Sequence, residues 1–157
     1  MSGGQKIILV RHGEATKTVE NPERPLTVVG RQHAEWAASW LERCGYEVAE
    51  IRHSEKLRTR ETAEILGKRL GMNGSRVRRR LGLKAHDDPA PVAVDLEADD
   101  RSLMLVGHLP FLARLAGILL TGDPDRVGLR FTDAGVLVLG RNRGAWRVEA
   151  LVGSDAV

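Results

Sequence analysis

Arg11-His12-Gly13 ends an apolar run, Ile7 to Val10, with a cation, an imidazole and a glycine. Two further places along the chain repeat the pattern. His53 and Ser54 follow the run 48–52, with Arg58 four residues beyond, and Gly107-His108 follows the run 102–106. Guanidinium forks match phosphate oxygens in pairs and stay charged. An imidazole can attack, accept or donate a proton near neutral pH. Gly13 would let the backbone approach an anion closely. Arginines and histidines together therefore suit a phosphoryl group. A metal is disfavoured: no His-x-x-x-His pair is present, and the arginines would repel a dication. Taken singly, each residue reads more readily as surface, with Arg58 pairing to Glu55 or Glu61. Recurrence at three run ends changes that balance.

These groups converge if the runs are neighbouring strands, because open α/β sheets bind ligands beyond the carboxyl ends of their strands. The chain alternates accordingly. Strands are expected at 7–10, 48–52, 102–106, 135–139 and 146–152. Thr27 can cap a helix from Val28 to Cys44, with Gly45 as its stop. Further helices are expected at 57–70, near 92–97, and at 111–120 after Pro110, whose N-terminus would add donors. Asn142-Arg143-Gly144 suggests a hairpin turn. Residues 14–26 read as a loop. Continuous apolar strands imply a sheet covered on both faces, an α/β/α sandwich, mostly parallel with an antiparallel edge.

The totals agree with a soluble globular protein. There are 157 residues, enough for a single domain spanning 1–157, of which 42% are hydrophobic and 29% charged. The one cysteine, Cys44, excludes a disulfide framework, suits a reducing cytoplasm, and is expected buried and inert. No stretch reads as a signal peptide or membrane span. The net charge of +3 is mild. Arg76 to Arg80, RVRRR, reads as a strand or loop with a solvated face, since no aromatic residues interleave to stack bases. No nucleic-acid or membrane partner is implied, and a monomer is expected. His33, His53, Trp36, Trp40 and Trp146 read as structural or partly exposed, and Ser54 as a helix cap or a brace for Arg58.

RHGEA at 11–15, RPLTVVG at 24–30, HSEKLRTRETA at 53–63, GHLP at 107–110 and FTDAGVLVL at 131–139 resemble the histidine phosphatase superfamily, the phosphoglycerate mutase-like enzymes. The likeness is strongest to its small branch, the SixA phosphohistidine phosphatases. The resemblance implies that His12 is a nucleophile forming a phosphohistidine intermediate. Arg11, Arg58 and His108 would complete the phosphate pocket with Gly13, and Arg24 would be a further phosphate-side arginine. It implies no metal or organic cofactor, and a phosphohistidine-bearing protein or a small phosphorylated metabolite as partner. The attacking imidazole must be neutral, its other nitrogen held by an acceptor such as the Gly13 carbonyl.

One departure concerns the general acid. Where many members carry a glutamate, the stretch RRLGLKAHDDP presents Gly82. Glu14, His86, Asp87 and Asp88 are candidates, although Asp87 and Asp88 beside Pro89 serve equally as turn residues. Without a strong acid, and without an insertion to form a cap, a phosphoramidate would be preferred. The competing readings are a small-molecule phosphomonoesterase and a phosphate-binding module with little turnover.

Overall fold

The structure, a computed structural model, describes residues 4–153. Six strands, β1 (Lys6–Arg11), β2 (Glu50–His53), β3 (Val77–Arg79), β4 (Leu103–Gly107), β5 (Val136–Asn142) and β6 (Ala145–Val152), form one sheet in the order β3-β2-β4-β1-β5-β6. The four strands from β3 to β1 pair in parallel; β5 and β6 add an antiparallel edge. Helices α1 (Val28–Cys44) and α2 (Leu57–Arg69) cover one face, and α3 (Ala90–Ala98) and α4 (Phe111–Thr121) the other. The expected three-layer sandwich is thus present.

β1 shows why the central strands read as continuous apolar runs. Ile7 and Leu9 pack toward α3 and α4, while Ile8 and Val10 pack toward α1 and α2. All four are fully buried. Alternation along a strand sends successive side chains to opposite faces, so a strand covered twice must be apolar throughout. Each such side chain contributes roughly 1.5–3 kcal/mol.

The element ends follow local chemistry. Thr27 Oγ1 accepts from Gly30 N at 2.9 Å, and Gly45 closes α1 at φ 75°, both as expected. The β5–β6 turn is centred on Arg143 (φ 55°) and Gly144 (φ 83°), the left-handed pair that a two-residue hairpin requires. β2 starts two residues later than expected, leaving Val48 buried ahead of it. The middle of the basic stretch, Val77–Arg79, is the edge strand β3, its exposed Arg78 paired with Glu50, while Arg76 ends a short 3-10 turn before it. Cys44 is exposed, contrary to expectation, because the buried stripe of α1 runs through Ala34, Ala37, Ala38 and Leu41 and leaves the last residue outside it.

Two glycines set how closely α1 approaches the end of β1. A Cβ on Gly13 would stand 2.6 Å from the Gly30 carbonyl oxygen, and a Cβ on Gly30 would stand 2.0 Å from the Glu14 carbonyl oxygen. This contact with α1 gives Gly13 a reason to be glycine other than approach to an anion. The longest connection, residues 12–27, carries one bridge, Ala15 to Leu26, and forms no cap. Gly30→Ala is expected to lower stability by about 1–3 kcal/mol, since backbone must move to admit the methyl group. Urea denaturation measures it; an unchanged midpoint would show that the approach is loose.

Candidate active site

Register brings the three strand ends together. Arg11 pairs with Gly107 and His53 with Val106, so β4 lies between β1 and β2. His12 N–H donates to the Gly107 carbonyl at 3.0 Å, which extends the ladder one residue past β1. The rings of His12 and His108 consequently meet edge to face, 5.3 Å between centroids.

His12 Nδ1 lies 2.7 Å from the Gly13 carbonyl oxygen. A carbonyl only accepts, so Nδ1 carries the proton and Nε2 keeps the lone pair. Burial is the main force holding the His12 pKa down, to about 4; the Gly13 bond works against it, and Arg58 and Arg11 add to the depression. His12 is therefore neutral at pH 7 with an unprotonated Nε2, the form that can attack. His108 is driven down further, to about 3, by burial first and then by His12 and Arg58.

The arginines flank this pair. Arg11 Nη1 donates to the Phe131 carbonyl at 2.9 Å and lies 3.6 Å from an Asp133 carboxylate oxygen. The Nε atoms of Arg11 and Arg58 are both buried without a partner. Such orphaned donors are rare and fit an anion acceptor. Among the described residues Arg58 makes no salt bridge: Glu61 is taken by Arg31 and the Leu26 N–H, and Glu55 by Lys84. Arg24 Nε donates to the Thr16 carbonyl at 3.0 Å, with its backbone at φ 52°. Arg58 is depressed by burial first and then by the Arg24 charge, which also adds a little to the depression of His108.

The acid candidates stand apart from this cluster in their bonding. Glu14 Oε2 accepts from Thr27 Oγ1 at 2.8 Å. Asp87 accepts from Lys84 N and Asp88 from Ala90 N, as turn residues do, and His86 is exposed. Gly82 has φ 87°, a backbone that a glutamate would adopt only with strain. At the start of α4 the Leu112 N–H donates to the His108 carbonyl. Among the described residues no group of three or more His, Cys, Asp or Glu is placed to hold a metal ion, and no helix is long and apolar enough to cross a membrane.

Four site-side residues were not singled out from sequence. Thr62 Oγ1 accepts from Gly13 N at 3.1 Å and donates to the Arg58 carbonyl at 2.8 Å. Thr59 contacts Ser54, which contacts His108. Glu61 ties α2 to the loop carrying Arg24, and Asp133 faces Arg11. Ser54 does not cap α2, whose N-cap is Lys56 without a side-chain bond.

Comparison with known proteins gives the family and the fold. Residues 7–84 match the family model of the histidine phosphatase superfamily (branch 1). An uncharacterized protein of Picosynechococcus is 31% identical over 152 residues, covering 92% of this chain and 89% of that one. The chain belongs to the histidine phosphatase superfamily. Its fold superposes on the protein histidine phosphatase SixA complexed with tungstate, at a TM-score of 0.84 and 23% identity over 95% of this chain and 97% of that one. A mycobacterial glucosyl-3-phosphoglycerate phosphatase superposes at 0.73 and 21% identity over 96% and 100%. Membership of this family makes the chain a phosphatase.

The two depressed histidines carry a stability consequence. Between pH 6.5 and about 4 the unfolded chain binds the proton that folded His12 refuses. Their contribution is complete above pH 6.5 and is lost as pH falls through the folded value; His108 acts with the same sign. Urea midpoints are therefore expected to be level above pH 7 and to fall from pH 6.5 downward. His12→Asn should flatten that slope, and an equal slope in the variant would contradict the assignment.

Proposed function

We propose that this phosphatase acts on phosphohistidine, with His12 as its nucleophile. The unprotonated Nε2 of His12 attacks phosphorus, a new N–P bond forms, and the bond to the leaving group breaks. Arg11, Arg58 and Arg24 neutralise the phosphoryl oxygens, and His108 completes the pocket. Water then attacks phosphorus, the bond to Nε2 breaks, and inorganic phosphate leaves. Phosphoryl transfer asks mainly for in-line positioning and charge neutralisation. No metal or organic cofactor enters this scheme.

The observation that favours phosphohistidine is Gly82 and the acids around it. Position 82 carries no carboxyl, and Asp87 and Asp88 are bonded within their own loop. An alkoxide leaving group needs a proton from the enzyme. A protonated phosphohistidine instead releases neutral imidazole, whose conjugate acid has a pKa of about 6.5, so it departs unaided. The uncapped connections leave room for a protein surface. A second reading, a phosphomonoesterase for small metabolites, draws on the likeness to the glucosyl-3-phosphoglycerate phosphatase; Glu14 would then be the first place to seek a proton.

The deciding measurement compares kcat/KM on a histidine-phosphorylated phosphocarrier protein with that on alkyl phosphomonoesters, chelator present and His12→Ala as blank. Fast loss of phosphohistidine with feeble ester hydrolysis is expected. Efficient ester hydrolysis would establish the metabolite reading, and no His12-dependent turnover on either would leave a binding module. Arg58→Ala is expected to cost on the order of 10²–10³ in kcat/KM, the scale for losing one preorganised donor to transition-state charge. Arg58→Lys should recover only part, because an ammonium lacks the fork.

A further inference from the structure

Behind the two histidines, two threonines lie three residues apart on the buried face of α2, both fully inaccessible. Thr62 Oγ1 gives its proton to the Arg58 carbonyl, so its lone pair receives the Gly13 N–H. Thr59 has the same option: its Oγ1 lies 2.8 Å from the Lys56 carbonyl and 3.2 Å from that of Ser54. A helical threonine commonly donates to a carbonyl three or four residues back. Thr59 Oγ1 also lies 2.7 Å from Ser54 Oγ, which lies 2.7 Å from His108 Nε2 and accepts from Lys56 N at 3.2 Å. Ser54 and His108 are themselves almost wholly buried.

Counting protons separates the two ways of wiring this chain. Each hydroxyl has one proton and two lone pairs, and the carbonyls only accept. If Thr59 donates to the Lys56 carbonyl, Ser54 donates to Thr59. Ser54 then accepts from Lys56 N and from His108 Nε2, and every short contact contains a proton. If Ser54 instead donated to His108, Thr59 would have to donate to Ser54. Two oxygens 2.8 Å apart, Thr59 Oγ1 and the Lys56 carbonyl, would then face each other with no proton between them. That arrangement is costly in a buried site.

We propose that Thr59 and Ser54 are positioning residues that hold the proton of neutral His108 on Nε2, leaving Nδ1 unprotonated. Among the described residues Nδ1 has no hydrogen-bond partner, so it is the nitrogen left for a ligand. Resting on the phosphatase reading, neutral His108 then meets a phosphoryl group as an acceptor and pairs with a protonated phosphoryl oxygen. α2 thus sets both imidazoles oppositely: His12 carries its proton on Nδ1, by way of Thr62 and Gly13, and His108 carries its proton on Nε2, by way of Thr59 and Ser54.

Long-range proton–nitrogen correlation spectra of the full 15N-labelled chain read which ring nitrogen is protonated, and need no turnover. His108→Ala identifies the His108 signals among the five histidines. The wild type and Thr59→Ser are expected to show His108 protonated on Nε2. Thr59→Val takes away the acceptor of the Ser54 proton, Ser54 turns to His108, and the ring proton shifts to Nδ1. Should Thr59→Val not fold, Ser54→Ala is read instead and is expected to lose the Nε2 preference. A wild type not protonated on Nε2 alone, or a folded Thr59→Val or Ser54→Ala with the wild-type pattern, overturns the proposal. Failure of phosphohistidine turnover with the expected spectra would leave the wiring intact and overturn only the substrate assignment.

Discussion

The 2.7 Å hydrogen bond from His12 Nδ1 to the Gly13 carbonyl is the contact on which the site depends. It leaves the Nε2 lone pair free, and it exists only because the chain turns immediately after β1. That turn is held from three sides. The Gly107 carbonyl takes the His12 N–H, Thr62 takes the Gly13 N–H, and the first turn of α1 lies against Gly13 through Gly30. Three separate elements therefore fix one imidazole.

Electrostatics and burial act together on that imidazole. Burial does most to keep the ring neutral and the two guanidiniums add to it, while their Nε atoms are buried without a partner. An unliganded site of this kind is destabilised relative to the same fold with its charges matched. A bound anion would give both Nε atoms an acceptor. Stability and function thus pull against each other at the strand ends, while the apolar strands and their covering helices supply the stability that tolerates this.

Helix α2 is the organising element of the chemistry. From one short span it presents the buried, unpartnered Nε of Arg58, Thr59 and Thr62 with their hydroxyl and backbone contacts near the two histidines, and Glu61 to the loop bearing Arg24. A rigid helix places these groups with a precision that four separate loops would not match.

The sequence alone determined the layers and the strand ends. β1 and β4 are apolar at every position because both faces are covered, and that signal survives without any knowledge of partners. Thr27, Gly45 and the Arg143-Gly144 turn were legible because caps and turns are local chemistry. Arg11, His12, Arg58 and His108 stood out because they follow such runs. Thr59, Thr62 and Asp133 did not, since hydroxyl residues near a helix start read equally well as caps, and Asp133 lies far along the chain from Arg11. Cys44 was misplaced because its exposure depends on where the stripe of α1 ends against the sheet. Only tertiary structure decided that Thr62 meets Gly13 beside His12 and that Thr59 meets Ser54 beside His108, because strand order and register bring positions 12, 54 and 108 together, and neither is encoded in local spacing.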